Sequence, residues 1–87
     1  MKLWILEPIG VTKESLRGGP WDFWYDKVFG FVVRAETEYL ARNLAQKNGG
    51  DEIKNDRPVW DNPNLSTCIE LTINGEEDII MQDFHAA

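Results

Sequence analysis

Two pairs of carboxylates lie close enough in the sequence to suggest acid–base chemistry, in which one carboxyl group donates a proton and the other accepts one. These pairs are Asp51 with Glu52, and Glu76 with Asp78. Such catalysis needs an apolar pocket or a fixed partner around one carboxyl group, because only then do the two pKa values move apart. The flanking residues indicate neither condition, so the sequence predicts no acid–base site.

The other chemically reactive residues also lack a suitable context. The single cysteine, Cys68, has no basic residue within eight positions, which predicts a buried and inert thiol rather than a nucleophile. One cysteine and one histidine, His85, are too few for a Cys/His zinc site. The Gly18-Gly19 pair lacks the Lys-Ser/Thr pair of a phosphate loop. We therefore predict no catalytic residue, no metal site and no cofactor, and expect a protein that is not an enzyme.

The charged residues are unevenly distributed along the chain. Residues 61–87 contain six Asp or Glu and no Lys or Arg, so this third accounts for the whole net charge of −6. A protein that follows nucleic-acid phosphates needs positive charge, so direct nucleic-acid binding is not expected. No apolar run approaches the roughly 20 residues of a membrane span, and a lone cysteine suits a reducing cytoplasm. The 87 residues are expected to form one cytoplasmic domain, residues 1–87.

Hydrophobic periodicity predicts an α+β fold, with one helix packed on a four-stranded, mostly antiparallel sheet in the order β-β-α-β-β. Val- and Phe-rich runs and alternating patterns indicate the strands, and Gly, Pro and Asn separate them. The predicted elements are strands at 2–7 and 27–35, a helix at 36–48, and strands at 66–73 and 76–84.

The predicted helix has a start signal, an apolar stripe and a stop signal. Thr37 can act as its N-cap, and four apolar residues repeat at helical spacing on the side expected to face the sheet. Glu38 and Arg42 form an i,i+4 pair, which we place on the solvent side. Gly49 and Gly50 are expected to end the helix in the left-handed conformation. The residues of the apolar stripe are Leu40, Ala41, Leu44 and Ala45.

The last two predicted strands are expected to form a hairpin around Asn74-Gly75. A two-residue loop is the usual assignment for Asn-Gly, but it places Asp78 opposite Leu71 and so puts a charge on the apolar face. A three-residue loop that begins at Ile73 keeps one face apolar for longer, and we prefer that register.

The densest aromatic stretch begins after Pro20, since six of the ten aromatic residues fall between positions 21 and 31. One interpretation is an anchor for a protein partner, since Trp and Tyr dominate interface hot spots. The other, which we favour, is a loop that folds over the sheet and completes a small core. Base stacking is not expected, because acids lie among the aromatic residues and would repel phosphates. The candidate residues of this stretch are Trp21, Asp22, Trp24, Tyr25 and Asp26.

The acidic residues of the predicted hairpin are the second candidate surface. Their charge is complementary to a basic groove, as in a protein that imitates nucleic-acid phosphates. The simpler interpretation is a solubilising surface that discourages pairing of strand edges. The candidate residues are Glu70, Glu76, Glu77, Asp78 and Asp83.

A pattern of short motifs resembles a known group of sequences. The run from Phe31 to Glu38 reads FVVRAETE and is followed by Ala41-Arg42 and by Gly50-Asp51-Glu52; further on come Ser66-Thr67-Cys68 and the residues after them, EL, GE and DF. This pattern, from Trp21 onwards, is similar to short uncharacterised proteins of bacteria, prophages and phages. The resemblance implies a small intracellular α+β protein from a mobile element and assigns no site residue.

These observations lead to one functional hypothesis and two alternatives. The chain is expected to be an acidic, non-enzymatic protein-binding module whose partner is a host or phage protein with a basic surface. In a phage or prophage, the expected role is to obstruct a nucleic-acid-handling defence complex, of CRISPR or restriction type. One alternative is a small-molecule or nucleotide sensor with a pocket under the 9–26 loop, walled by Trp21, Trp24 and Trp60. The other is a homodimer formed through strand edges.

Overall fold

The computed structural model describes residues 1–10, 19–21 and 26–83. This part of the chain has the predicted α+β class, with three strands, one α-helix and a short 3₁₀ segment. In chain order these elements are β1 (Lys2–Pro8), β2 (Phe31–Ala35), α1 (Glu38–Lys47), the 3₁₀ segment (Asp51–Asp56) and β3 (Ser66–Leu71). Among the described residues, no helix is long and apolar enough to cross a membrane.

Strand β1 is the middle strand of an antiparallel sheet with the order β2-β1-β3. Leu6 lies opposite Phe31 of β2 and opposite Cys68 of β3, and Leu3 lies opposite Leu71. A strand that is paired on both sides is the most buried strand of a sheet, which explains why its central residues form a continuous apolar run rather than an alternating pattern. Strands β2 and β3 are the two edges.

Helix α1 packs on one face of this sheet through its small residues. Ala41 and Ala45 are buried, and their short side chains allow the helix to approach the sheet closely. The predicted N-cap is confirmed, because Thr37 Oγ1 accepts a hydrogen bond of 3.2 Å from the Leu40 amide. The buried core residues are Trp4, Leu6, Trp21, Ala35, Ala41, Ala45, Val59, Trp60 and Cys68.

The end of α1 differs from the prediction. Neither Gly49 nor Gly50 has a positive φ, so the left-handed stop expected there was wrong. Gly50 is required by a close approach instead: the Asp51 amide donates to the Asp26 carbonyl oxygen at 2.7 Å. A Cβ atom on Gly50 would overlap that same oxygen. The glycine therefore allows residues 26–28 to lie against the turn that follows the helix.

The fourth predicted strand and its hairpin are a second correction, because residues 72–83 contain no strand. Gly75 has a positive φ of 152°, but the chain does not return along β3. Asp78 uses its carboxylate locally, with Oδ1 accepting from the Ile79 amide at 2.8 Å, and such bonds compete with sheet pairing. Three consecutive acids are also poor strand formers. Residue 84, the last of the predicted strand, lies outside the described residues.

Candidate functional site

In the part of the chain that the structure describes, α1 packs on one face of the sheet, and we call the opposite face the outer face. Because side chains alternate along strands, the registers place Leu3, Ile5 and Glu7 of β1 on this face. Their neighbours on β2 and β3 point the same way. The residues of the outer face are Leu3, Ile5, Glu7, Val32, Arg34, Thr67, Ile69 and Leu71.

Three apolar side chains of the outer face remain open to solvent. Leu3 is 39% exposed, and Val32 and Ile69 are each 59% exposed. They come from three different strands and surround Ile5, which is only 5% exposed. We call Leu3, Val32 and Ile69 the apolar patch. Antiparallel sheets commonly leave one face open to solvent, but the residues on that face are then mostly polar, so exposed apolar side chains from three strands are unusual there.

The chain that follows β3 borders this face. We call residues 76–83 the acidic segment. Its three apolar residues, Ile79, Ile80 and Met81, are all exposed. Its last residues, Met81 to Asp83, line a cleft together with residues of β1 and β2. The end of the acidic segment, residues 81–83, therefore lies beside β1 and β2 without joining the sheet.

The cleft opens where β1 and β2 separate. Leu6 and Phe31 are the last pair of that ladder, and residues 29 and 30 before Phe31 are not part of a strand. The cleft has a volume of about 440 Å³, within the ~300–1,000 Å³ typical of ligand clefts. Its lining combines apolar side chains with the polar groups of Glu7, Gln82 and Asp83 in nearly equal measure. The apolar lining residues are Ile5, Leu6, Pro8, Phe29, Phe31, Val32 and Met81.

The predicted acidic candidates do not form one surface. Glu70 lies on the helix side of β3, opposite Trp4, where its Oε1 is 3.6 Å from Lys2 Nζ. The other four belong to the acidic segment, which leaves the sheet before it reaches them. The placement of all five acids on one hairpin was therefore wrong. Glu76, Glu77, Asp78 and Asp83 are exposed.

The aromatic candidates divide in the same way. Trp21 is buried in the core, where it packs against Trp60 with ring centroids 5.1 Å apart. Its indole Nε1 donates to the Leu65 carbonyl oxygen at 3.2 Å. The burial of Trp21 agrees with the interpretation that it packs in the core, rather than with that of an exposed anchor for a partner. Asp26 is exposed, and its amide donates to Asp51 Oδ2 at 3.1 Å.

The remaining aromatic-loop candidates, Asp22, Trp24 and Tyr25, lie outside the described residues. Trp21 and Trp60 were also the expected walls of a sensor pocket. Both rings are almost fully buried against each other and the core. The cleft described above has different walls.

A buried carboxylate was not recognised from the sequence. Glu52 is 1% exposed, and its Oε1 accepts from the Val28 amide at 3.0 Å and the Gly50 amide at 2.9 Å. Its Oε2 accepts from Trp60 Nε1 at 2.6 Å. Glu52 therefore has both the apolar surroundings and the fixed partners that we did not expect for the Asp51–Glu52 pair. Its three hydrogen bonds connect the segment at Val28, the turn at Gly50 and the core residue Trp60.

A buried arginine was placed on the wrong side of the helix. Arg42 forms the predicted pair with Glu38, with Nε 2.9 Å from Oε2, but its side chain points inward. Nη1 donates to the Trp60 carbonyl oxygen at 2.9 Å and to Ser66 Oγ at 3.0 Å, and Nη2 donates to the Ser66 carbonyl oxygen at 3.2 Å. One sequence signal pointed to it: Arg42 is three residues before the buried Ala45, at the border of the apolar stripe.

Cys68 lies in the core, as predicted. Burial raises the pKa of its thiol; Arg42 acts in the opposite direction and Glu38 in the same one. The thiolate is therefore disfavoured. Within residues 1–10, 19–21 and 26–83, no three potential ligands among His, Cys, Asp and Glu are close enough to hold a metal ion.

Searches with the chain return no matching protein-family model, curated protein or solved structure. The resemblance to short bacterial and phage proteins remains an expectation from the sequence.

Proposed function

We propose that this chain is a protein-binding module and that its interface combines the apolar patch with the acidic segment. The observation that carries this proposal is the exposure of Leu3, Val32 and Ile69 on the sheet face opposite α1. Complete burial of one Val, Leu or Ile side chain stabilises a contact by about 1.5–3 kcal/mol. Because the patch residues are only partly exposed, a partner that covers the patch gains part of this free energy for each of them.

The charges favour a basic partner over a second copy of the chain. The acidic segment carries four negative side chains and no positive one, and its last residues, 81–83, lie beside β1 and β2. Two copies packed face to face would bring two such segments together, and their repulsion opposes association. A partner whose interface has an apolar centre surrounded by lysine or arginine can contact both the apolar patch and the carboxylates of the acidic segment. Its association should be fast at low salt and slower at high salt.

An affinity capture with matched variants tests this proposal. The partner should be retained by the parent chain, and most of it should be lost with Ile69→Ser and with Val32→Ser. Tyr39→Ser is the control, because Tyr39 is an exposed large hydrophobic side chain on α1, on the other face of the sheet from the patch. A partner retained equally by all four chains binds elsewhere, and the outer face is then not the interface.

The acidic segment is tested separately by a triple variant, Glu76→Gln, Glu77→Gln and Asp78→Asn. We expect slower association with the captured partner, and a weaker dependence of the rate on salt. The dissociation rate should change little, because these side chains are solvent-exposed. An unchanged association rate removes the acidic segment from the interface.

The narrower role that we propose is obstruction of a nucleic-acid-handling complex of the host cytoplasm, as in inhibition of CRISPR or restriction systems. The support is the charge of the acidic segment, which has the sign of a phosphate backbone. If the segment occupies a nucleic-acid groove, a short DNA duplex should displace the chain from the captured partner. Coexistence of DNA and the chain on the partner contradicts this role while leaving protein binding intact.

The cleft favours a second candidate function, a small-molecule sensor. A thermal-shift screen with nucleotides and metabolites addresses it, since a ligand that binds only the folded state raises the melting temperature. A stabilisation that is lost in a cleft variant such as Val32→Lys supports the sensor. A flat screen disfavours it.

The homodimer is tested by light scattering of the purified chain. The repulsion between acidic segments predicts a monomer at low salt. A dimer at low salt contradicts that argument and assigns the apolar patch or a strand edge to self-association.

A further inference from the structure

We infer that the Asn74-Gly75 pair is a self-modification site, at which the folded chain converts Asn74 to aspartate and isoaspartate without an enzyme. The observation behind it is a difference between two Asn-Gly pairs of the sequence, Asn48-Gly49 and Asn74-Gly75. The structure holds the first pair by hydrogen bonds at the end of α1 and leaves the second in an exposed bend. The inference does not rest on the proposed protein-binding function.

The reaction is an attack of a backbone nitrogen on a side chain of the same chain, which needs no second molecule to be brought into place. Gly75 N loses its proton to solvent and bonds to Asn74 Cγ. The bond from Cγ to Nδ2 breaks, and Nδ2 takes up a proton and leaves as ammonia. Water then opens the resulting cyclic imide. Opening at Cγ gives aspartate, and opening at the backbone carbonyl carbon gives isoaspartate, in which the chain continues through the side chain. No electron is transferred.

Gly75 supplies an accessible nitrogen. Glycine has no Cβ atom that would shield its amide, and a Cβ atom built on Gly75 would meet nothing within 4 Å. Among the described residues, the Gly75 amide makes no hydrogen bond. The nucleophile is therefore open to solvent and to the side chain that precedes it.

Asn74 supplies a side chain that can turn toward this nitrogen. Asn74 is exposed, and its backbone carbonyl oxygen accepts from Thr72 Oγ1 at 3.1 Å. Within the part of the chain that the structure describes, its side-chain amide has no hydrogen-bond partner. Exposed side chains change rotamer within picoseconds to nanoseconds, so Asn74 Cγ samples positions close to Gly75 N.

The other Asn-Gly pair is held in place. Asn48 Nδ2 donates to the Leu44 carbonyl oxygen at 2.8 Å, and the Asn48 amide donates to the Ala45 carbonyl oxygen at 3.0 Å. A Cβ atom built on Gly49 would lie 2.7 Å from Glu52 Oε2, so this glycine packs against the buried carboxylate. Ring closure here requires the end of α1 to open first, and such local opening costs free energy. The fold therefore separates two pairs that have the same sequence.

The modification changes the charge next to the acidic segment. Either product adds one carboxylate two residues before Glu76, which takes the net charge of the chain from −6 to −7. Isoaspartate also lengthens the backbone by one methylene group at the bend. Because the reaction proceeds with time and not with a ligand, the charge at this position records the age of the molecule.

Peptide mapping after incubation tests the inference. The purified folded chain is kept at mildly alkaline pH and sampled over time. Trypsin cleaves after Lys47 and Lys54, so the two pairs fall in different peptides, and fragment spectra locate the mass gain of about 1 Da that deamidation causes. We expect Asn74 to convert at least about fivefold faster than Asn48. Equal rates, faster conversion of Asn48, or no conversion at either residue overturn the inference.

The same incubation in urea tests whether the fold causes the difference. Unfolding removes the hydrogen bonds that hold Asn48, so its conversion should accelerate until the two rates agree within about twofold. A preference for Asn74 that persists in urea comes from the neighbouring residues in the sequence, and it contradicts the protection of Asn48 by α1.

A variant and a product analysis test the attack by Gly75 N. Asn74→Gln adds a methylene group that moves the amide carbon out of reach, and conversion at position 74 should fall at least about tenfold. Asn48→Gln is the matched control and should leave the rate at Asn74 unchanged. Isoaspartate is detected by an isoaspartyl methyltransferase with labelled S-adenosylmethionine, and the incubated parent chain should take up label. A parent chain that yields aspartate alone is hydrolysed directly by water, which contradicts the inference.

Discussion

The carboxylate of Glu52 and the indole of Trp60 are joined by a hydrogen bond of 2.6 Å between Oε2 and Nε1. Both side chains are almost completely buried, and the other carboxylate oxygen accepts two backbone amides. Three neutral N–H donors thus surround one carboxylate. Among the described residues, no buried side-chain nitrogen or oxygen lacks a hydrogen-bond partner.

Replacement of Glu52 by Gln should lower the free energy of unfolding by about 1–3 kcal/mol. The variant keeps the shape of the side chain, but one carboxylate oxygen becomes an NH₂ group, which cannot accept a hydrogen bond. At least one of the N–H groups of Val28, Gly50 and Trp60 therefore loses its acceptor. Urea denaturation measures the change. Glu77→Gln is the matched control, because Glu77 is exposed, and it should change the free energy by less than about 0.5 kcal/mol. Equal effects of the two variants would show that the Glu52 bonds contribute nothing to stability.

Replacement of Arg42 by Lys should also destabilise the fold, by about 1–3 kcal/mol. Lysine keeps the charge but lacks the planar fork that reaches Trp60 and Ser66 together. The partner oxygens then remain buried with fewer donors. Arg34→Lys is the control, since Arg34 is exposed. Denaturation curves that coincide for the two variants contradict the structural role of the Arg42 fork.

Replacement of Gly50 by Ala should cost about 1–3 kcal/mol, because the added methyl group collides with the Asp26 carbonyl oxygen. The backbone must then move residues 26–28 away from the turn. Gly30→Ala is the control: its added atom would meet Leu6 O at 3.6 Å, an ordinary contact. Thermal unfolding monitored by tryptophan fluorescence compares the two. A destabilisation by Gly30→Ala that matches the Gly50→Ala effect would exclude the steric explanation.

Removal of the N-cap by Thr37→Ala should destabilise the chain by about 1 kcal/mol. The Leu40 amide loses its acceptor, Thr37 Oγ1, which lies 3.2 Å away. Thr37→Ser keeps the hydroxyl and should be close to neutral. Circular dichroism at increasing urea concentration reports the difference, and a serine variant as unstable as the alanine variant rules out the capping bond as the cause.

The Cys68 thiol should react slowly with iodoacetamide at neutral pH, because burial raises its pKa and the thiolate is the reactive form. The folded pKa is higher than the unfolded one, so the contribution of this thiol to stability is complete below the unfolded pKa of about 8.5. It is lost as the pH rises through the folded pKa. Alkylation should accelerate in urea. Rapid alkylation of the folded chain at pH 7 would contradict the burial argument.

The parts of the fold that local patterns encode were predictable from the sequence. The apolar run of β1, the Val-rich β2 and the Thr37 N-cap each depend on neighbouring residues, and their positions agree with the structure within a few residues. The prediction of a fourth strand was wrong, because Asn74-Gly75 is a local turn signal and does not determine whether the following residues pair with β3. Three consecutive acids and the Asp78 bond to its own chain leave that segment unpaired.

The polar groups of the core and the candidate site depend on contacts between distant residues. Arg42 meets Ser66, which is 24 positions away, and Glu52 meets Val28, also 24 positions away. Both residues have charged side chains that are normally exposed, so the sequence pattern placed Arg42 on the solvent side of the helix and gave Glu52 neither an apolar pocket nor a fixed partner. The apolar patch was also missed, because a face is recognised as uncovered only after the strands are arranged.

The position of β1 in the middle of the sheet has a consequence for how the chain folds. Residues 2–8 pair with residues 66–71 as well as with residues 31–35, so the central strand gains its second neighbour only after most of the chain has left the ribosome. Pairing over such sequence separation is entropically costly and slows folding. Until β3 arrives, one edge of the most apolar strand is open, and the nascent chain is most prone to aggregation at that stage.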